Sequence, residues 1–102
     1  MYLAELAAAI RAEVPGDFLP DADTTTLFLL YALLAETKGE AVEPRDVHDA
    51  WVAWMRIRGE THRSMIPFEE LEPDIQREDE PFVEAIRRAV IRRSDGMRRT
   101  AD

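Results

Sequence analysis

The sequence has no cysteine, a single lysine and only four glycines among its 102 residues. The lack of cysteine excludes disulfides and thiolate metal sites and fits a reducing compartment, so we expect a cytoplasmic protein. The N-terminus lacks the basic segment of a secretion signal. The longest apolar run, LFLLYALLA (27–35), is far shorter than the roughly 20 residues that cross a bilayer. We therefore expect a soluble protein with no membrane partner.

Motifs for catalysis and for metal binding are also missing. There is no glycine-rich loop with a lysine to hold phosphate, and Ser64 and Ser94 lie in no nucleophile motif. His48 and His62 are the only histidines, and their spacing matches no metal-ligand pattern. The sequence thus predicts no catalytic residue, no metal and no cofactor. The enzyme hypothesis that remains is a hydrolase in which Asp79 or Glu78 acts with His48.

The net charge of −8 is unevenly distributed. Residues 1–82 carry 18 acidic and 7 basic side chains, whereas residues 83–102 carry 6 arginines and 3 acids. Because an acidic body repels phosphate backbones, we expect no nucleic-acid partner. The dense acidic run at 69–80 is either solvated surface or a docking surface for a protein with a basic face. The preference for arginine over lysine, with many alanines, is typical of a GC-rich genome such as that of an actinobacterium or its phage.

The apolar pattern predicts helices throughout. A chain of 102 residues with 46% apolar side chains suffices for one core. Apolar residues recur at i, i+3, i+4 and i+7 over 2–14, and residues 24–38 are apolar nearly all round, which indicates a buried central helix. Prolines beside acids predict helix starts for segments 44–58, 73–77 and 81–93. We expect an all-α fold: a small single-domain bundle of four main helices plus a short connecting helix over residues 1–94, then a flexible polar tail at 95–102.

One stretch, RDVHDAWVAWMRIRG (45–59), combines a histidine with both tryptophans on one predicted helix. It has two interpretations. In the first it is a packing seam, with one tryptophan in the core, the other half-exposed, and His48 bonded to a backbone carbonyl. In the second it lines an aromatic pocket for a ligand or peptide. Since Arg58 must reach water, we expect Trp51 to be chiefly core and Trp54 and His48 to lie nearer the surface, beside segment 62–68. The candidate binding residues are His48, Trp51, Trp54, Arg63 and Phe68.

The order of features over about residues 45–90 resembles the RyR domain, a module named from repeats in animal ryanodine receptors and also found in bacterial and phage proteins. The resembling elements are the helix with His48-x-x-Trp51 and a glycine at its end, the segment MIPFEEL (65–71), and an acid-rich link containing Asp79. A Gly-Trp-x-Tyr-Gly-like stretch of that family, part of its ligand surface, is replaced here by GETHR (59–63). The resemblance implies a non-enzymatic regulatory or protein-interaction module. The alternative that it implies is a domain that binds a small, nucleotide-derived ligand.

Overall fold

A computed structural model describes the backbone of residues 2–101 and the side chains of residues 2–96. Within that range there are no strands, and the predicted all-α fold of four main helices plus one short helix is confirmed. The helices are α1 (Tyr2–Glu13), α2 (Thr25–Lys38), α3 (Pro44–Ile57), α4 (Pro73–Arg77) and α5 (Glu80–Ala101). Three 3₁₀ turns, at Gly16–Phe18, Gly39–Ala41 and Phe68–Glu70, lie in the connections. None of the described helices is long and apolar enough to cross a membrane.

The proline signals locate the helix starts well. Pro44 and Pro73 are the first residues of α3 and α4, where a missing N–H costs no hydrogen bond. At the start of α3, the backbone N–H of Glu43 donates to the Asp46 carboxylate over 2.9 Å. The same carboxylate lies 2.9 Å from Nζ of Lys38 at the end of α2. Asp46 therefore stabilises one helix start and joins it to the preceding helix.

The last helix is longer than predicted. The apolar pattern indicated an end at residue 93, but α5 runs to Ala101. The part of α5 after residue 93 has no apolar face, so its sequence shows no apolar periodicity. It can still be helical, because arginine, methionine and alanine are good helix formers and no proline interrupts them. Asp102 and the side chains from residue 97 onwards lie outside the described part of the chain. The flexibility of the predicted tail at 95–102 thus stays a prediction.

The core forms around α2, as predicted for a central helix. This helix contacts α1, α3 and α5. One side of it is fully buried, whereas Leu33 on the other side is 51% exposed, so burial does not extend all round. The buried residues of α2 are Leu27, Phe28, Tyr31, Ala32 and Ala35.

Arginines of α5 connect this helix to the rest of the domain. The Arg87 guanidinium donates to the carbonyl oxygens of Glu40 (3.2 Å) and Val42 (2.7 Å) in the connection between α2 and α3. Arg92 and Arg93 form ion pairs with Glu13 of α1 and Glu36 of α2. These arginines are exposed, and their contacts link α5 to α1, to α2 and to the connection between α2 and α3.

Candidate functional site

The two tryptophans of α3 occupy the reverse of their predicted environments. Trp54 is 2% exposed and belongs to the core, whereas Trp51 is only partly buried. The prediction that Trp51 is the core residue and Trp54 lies nearer the surface is wrong. Its argument was that Arg58 must reach water, but the Arg58 guanidinium carbon lies 4.6 Å from the centre of the Trp54 ring. The arginine covers the indole while its charged end remains accessible.

His48 is also more buried than predicted, at 3% exposure. Its Nε2 lies 2.7 Å from the carbonyl oxygen of Ile66, in the segment after α3. A carbonyl oxygen only accepts hydrogen bonds, so Nε2 carries the proton in this contact. The packing interpretation, with one core tryptophan, one partly exposed tryptophan and a carbonyl-bonded histidine, describes this geometry. The Ile66 side chain is 41% exposed, so this residue anchors its segment through its backbone carbonyl.

The other imidazole nitrogen of His48 has a different environment. Among the described side chains, Nδ1 has no hydrogen-bond partner. Every fully buried side-chain nitrogen or oxygen in that range does have a partner, so Nδ1 is not fully buried. Nδ1 must therefore reach solvent, and it does so where His48 lines a cleft. In neutral imidazole with the proton on Nε2, Nδ1 is a hydrogen-bond acceptor. His48 is thus held by one nitrogen and offers the other.

This cleft has a volume of about 640 Å³, within the range of small-molecule sites. It is bounded by α2, α3, α4, the start of α5 and the connections that follow α1 and α3. Aromatic rings form much of its surface: Phe18, Tyr31, Trp51 and Phe82. Its titratable side chains are Asp17, Tyr31, His48, His62, Asp74, Arg77, Glu78 and Asp79.

Tyr31 carries the one polar side-chain group within the apolar run 27–35 of α2. Its ring packs against Phe28 (5.3 Å between centroids, edge to face) and Phe82 (5.6 Å), and the residue is 2% exposed. Its hydroxyl has no hydrogen-bond partner among the described side chains and, by the same reasoning as for His48, must reach the cleft. Burial, and then the negative charge of Asp79, raise the pKa of this hydroxyl above its ordinary value. Tyr31 therefore remains a neutral donor or acceptor.

Asp79 lies between α4 and α5 and is half-buried. Its backbone carbonyl accepts the first hydrogen bonds of α5, from the N–H groups of Phe82 and Val83, both at 3.1 Å. The pKa of its carboxyl group is raised to about 6: burial has the largest effect, the charge of His48 opposes it, and the charge of Glu78 adds a smaller increase. A desolvated carboxyl group beside a histidine is the kind of group found at binding and catalytic sites.

The rim of the cleft is formed by Trp51 and His62. The Trp51 ring stacks on His48, with 5.8 Å between centroids and 26° between planes, and meets His62 edge to face at 5.5 Å. The exposed His62 accepts at Nδ1 from the backbone N–H of Ser64, at 3.0 Å. Asp74 and Arg77, which pair with each other, also line the cleft.

Of the five predicted site residues, the structure brings two to the cleft, His48 and Trp51. Trp54 is in the core. Phe68 contacts the His48 ring at 6.1 Å between centroids without lining the cleft. Arg63 is exposed and lines a separate groove with Glu70 and Glu72. Arg63 therefore does not contribute to the cleft.

Residues that the binding prediction missed are Tyr31, Asp79, Phe82 and Phe18. Phe18 is 51% exposed and lines the cleft. Tyr31 had a signal in the sequence, since it is the one hydroxyl within an apolar run. Asp79 had been named, but only as a hydrolase alternative.

The chain matches a protein family, and its described residues form no evident metal site. Among the described residues, no group of three or more histidines and acids is arranged to hold a metal ion. Residues 1–91 match the family described as "Domain of unknown function (DUF7701)". The chain belongs to this family. The match includes every element that lines the cleft. No curated protein and no solved structure is significantly similar to the chain.

Proposed function

We propose that this domain binds a small molecule in the cleft between α2, α3, α4 and α5. One observation carries the proposal: two side chains exposed by 3% or less, Tyr31 and His48, line the same cleft, and each has a polar atom without a hydrogen-bond partner among the described residues. Buried polar groups normally have hydrogen-bond partners within the protein. Convergent polar atoms on apolar walls are typical of ligand sites. The resemblance to the RyR domain supports a binding role.

The two indoles of α3 provide a direct test. Heteronuclear NMR resolves one side-chain N–H signal for each tryptophan, and a Trp54→Phe variant assigns them. We expect some members of a fragment library of cations, neutral compounds and anions, nucleotides included, to shift the Trp51 signal saturably. The Trp54 signal should remain in place, because that residue is in the core. A library without a single compound that moves the Trp51 signal would contradict the proposal.

A protein-interaction module is the second candidate, favoured by one surface. Glu70, Glu72, Asp74 and Glu78 line a groove on which the nearby basic side chains are His62 and Arg63. A protein with a basic face would suit this groove, although Asp74 already pairs with Arg77. Binding of an arginine-rich peptide that weakens with salt and with Glu70→Gln, but leaves the Trp51 signal unchanged, would favour this function over the cleft.

The hydrolase hypothesis gains one supporting observation, because His48 and Asp79 line the same cleft. A carboxyl group with a pKa of about 6 is suited to general acid–base chemistry. Turnover of nucleotides or phosphoesters by the domain, abolished by Asp79→Asn, would establish it. We favour binding because no serine, threonine or cysteine in the described part of the chain is hydrogen-bonded to His48 or Asp79.

A further inference from the structure

We propose that the cleft selects organic cations, with a planar or aromatic body and N–H donors on the charged group. Asp79 is the counter-ion, Nδ1 of His48 is a second acceptor, and the aromatic walls hold the body of the ligand. This inference rests on the proposed function, because it assigns a chemical class to the ligand of the same cleft.

The polar atoms in the cleft are mainly acceptors. In the uncharged form of His48 the Ile66 carbonyl holds the one ring proton on Nε2, and Nδ1 is then an acceptor. The Asp79 carboxylate accepts at two oxygens and has no hydrogen-bond donor among the described side chains. The Tyr31 hydroxyl can either donate or accept a hydrogen bond. A ligand that satisfies these groups together must therefore supply several donors.

The charge of the cleft points to the same ligand class. Four acids line it: Asp17, Asp74, Glu78 and Asp79. Arg77 is the one arginine or lysine on its described surface, and it is neutralised by Asp74. The field at the cleft therefore attracts cations and repels phosphate-bearing compounds. This disfavours the nucleotide-derived ligand that the RyR resemblance implies.

The aromatic side chains explain why an organic rather than an inorganic cation is expected. Rings of Phe18, Trp51 and Phe82, none of them fully buried, border the cleft. Their faces offer apolar contact to a flat body, and their quadrupoles attract positive charge placed over them. An inorganic ion would leave this surface unused, and a divalent ion would lack the third acidic or histidine ligand within the described residues.

Benzamidine (a cation), benzamide (neutral) and benzoate (an anion) have nearly the same shape but different charges. Differences in their affinity therefore report the effect of charge. We expect benzamidine to shift the Trp51 signal with a Kd at least about tenfold below that of benzamide, as for charge-assisted hydrogen bonds, and benzoate to bind weakest. Phenyltrimethylammonium, a cation without N–H donors, should bind less tightly than benzamidine. Equal affinities across the first three compounds, or benzoate tightest, would overturn the cation inference while leaving the cleft a ligand site.

Variants then test the two acceptors. Asp79→Asn keeps the shape and removes the charge, so benzamidine affinity should fall roughly ten- to a hundredfold. Glu72→Gln removes an equal charge outside the cleft and should change affinity less than about twofold, as a screened surface charge does. Unchanged affinity in Asp79→Asn would overturn the assignment of the counter-ion.

The two imidazole nitrogens of His48 can be tested separately, because the side-chain amides of glutamine and asparagine each replace one of them. In His48→Gln the amide nitrogen has the same number of bonds from Cα as Nε2, so it can still donate to Ile66 but offers no acceptor at Nδ1. In His48→Asn the amide oxygen replaces Nδ1, and the Ile66 contact is lost. We expect the glutamine variant to be the more stable and the asparagine variant, where folded, to bind benzamidine more tightly. Tighter binding by the glutamine variant would exclude Nδ1 as the acceptor.

Discussion

Nε2 of His48 lies 2.7 Å from the carbonyl oxygen of Ile66, eighteen residues further along the chain. This contact fixes the segment after α3 to the helix, and it also fixes which imidazole nitrogen faces the cleft. His48 thus has a structural bond on one side and a free acceptor on the other. The packing interpretation of the sequence describes one side of this residue, and the ligand pocket that we propose lies on the other.

The buried position of His48 predicts a measurable loss of stability on truncation. His48→Ala should lower the free energy of unfolding by about 2–3 kcal/mol, because it leaves the Ile66 carbonyl unsatisfied and a gap between Trp51 and Phe68. Urea denaturation measures this. His48→Gln, which keeps the donor, should lose only about 1 kcal/mol. If the alanine variant were as stable as the parent, the Ile66 contact would not hold the segment.

We expect Trp54 and Trp51 to contribute unequally to the stability of the fold. Trp54→Ala should cost about 3–5 kcal/mol, as expected for a large side chain removed from the core. Trp51→Ala should cost roughly 1–2 kcal/mol, since Trp51 is partly exposed beside the cleft. The two substitutions are matched in size and helix, so their difference in thermal and urea unfolding isolates burial. A larger loss of stability in Trp51→Ala than in Trp54→Ala would contradict this assignment and support the prediction from the sequence that Trp51 is the core residue.

Local signals account for most of what could be predicted of the fold. Proline at the first helical turn and apolar periodicity act within a few residues, and they located α3 and α4 closely. The end of α5 was missed because a helix that continues without an apolar face leaves no periodic signal. The site depended on contacts between distant elements. Nothing near Tyr31 in the sequence indicates that residues 79–82 pack beside it, and nothing near Arg58 shows that it covers Trp54.

Neighbouring arginines on α5 test how this helix is fixed. Arg87 donates to the backbone carbonyls of Glu40 and Val42, whereas Arg88 pairs with Glu84 on the exposed face of the same helix. Arg87→Ala should lower the free energy of unfolding by about 1–3 kcal/mol, because it leaves the half-buried Val42 carbonyl contact without its donor. Arg88→Ala should cost no more than about 0.5 kcal/mol. Arg87→Lys should recover only part of the loss, since an ammonium cannot reproduce the fork of donors. Equal effects of the two alanine variants would contradict the tethering role.

The last prediction concerns pH and Asp79. Burial raises the pKa of its carboxyl group from 3.8 to about 6 in the folded protein. The folded state therefore holds a proton that the unfolded chain releases between these values. By linkage this proton stabilises the fold at low pH, and its contribution is lost as pH rises from about 4 through 6. Asp79→Asn, which stays neutral, should be more stable than the parent at pH 7.5 by about 1–2 kcal/mol after allowance for partial exposure.

The advantage of Asp79→Asn should disappear near pH 4, where the parent carboxyl group is protonated in both states. Urea denaturation of parent and variant at several pH values from 4 to 8 measures the difference in their free energies of unfolding. All other titrating groups are present in both proteins, so their contributions cancel to first order. Groups that act on this carboxyl group are His48, which lowers its pKa, and Glu78, which raises it. Asp74→Asn is the matched control, because Asp74 is exposed and paired with Arg77. A stability difference that stayed constant with pH, or that grew towards low pH, would show that Asp79 is not held in a desolvated position beside the cleft.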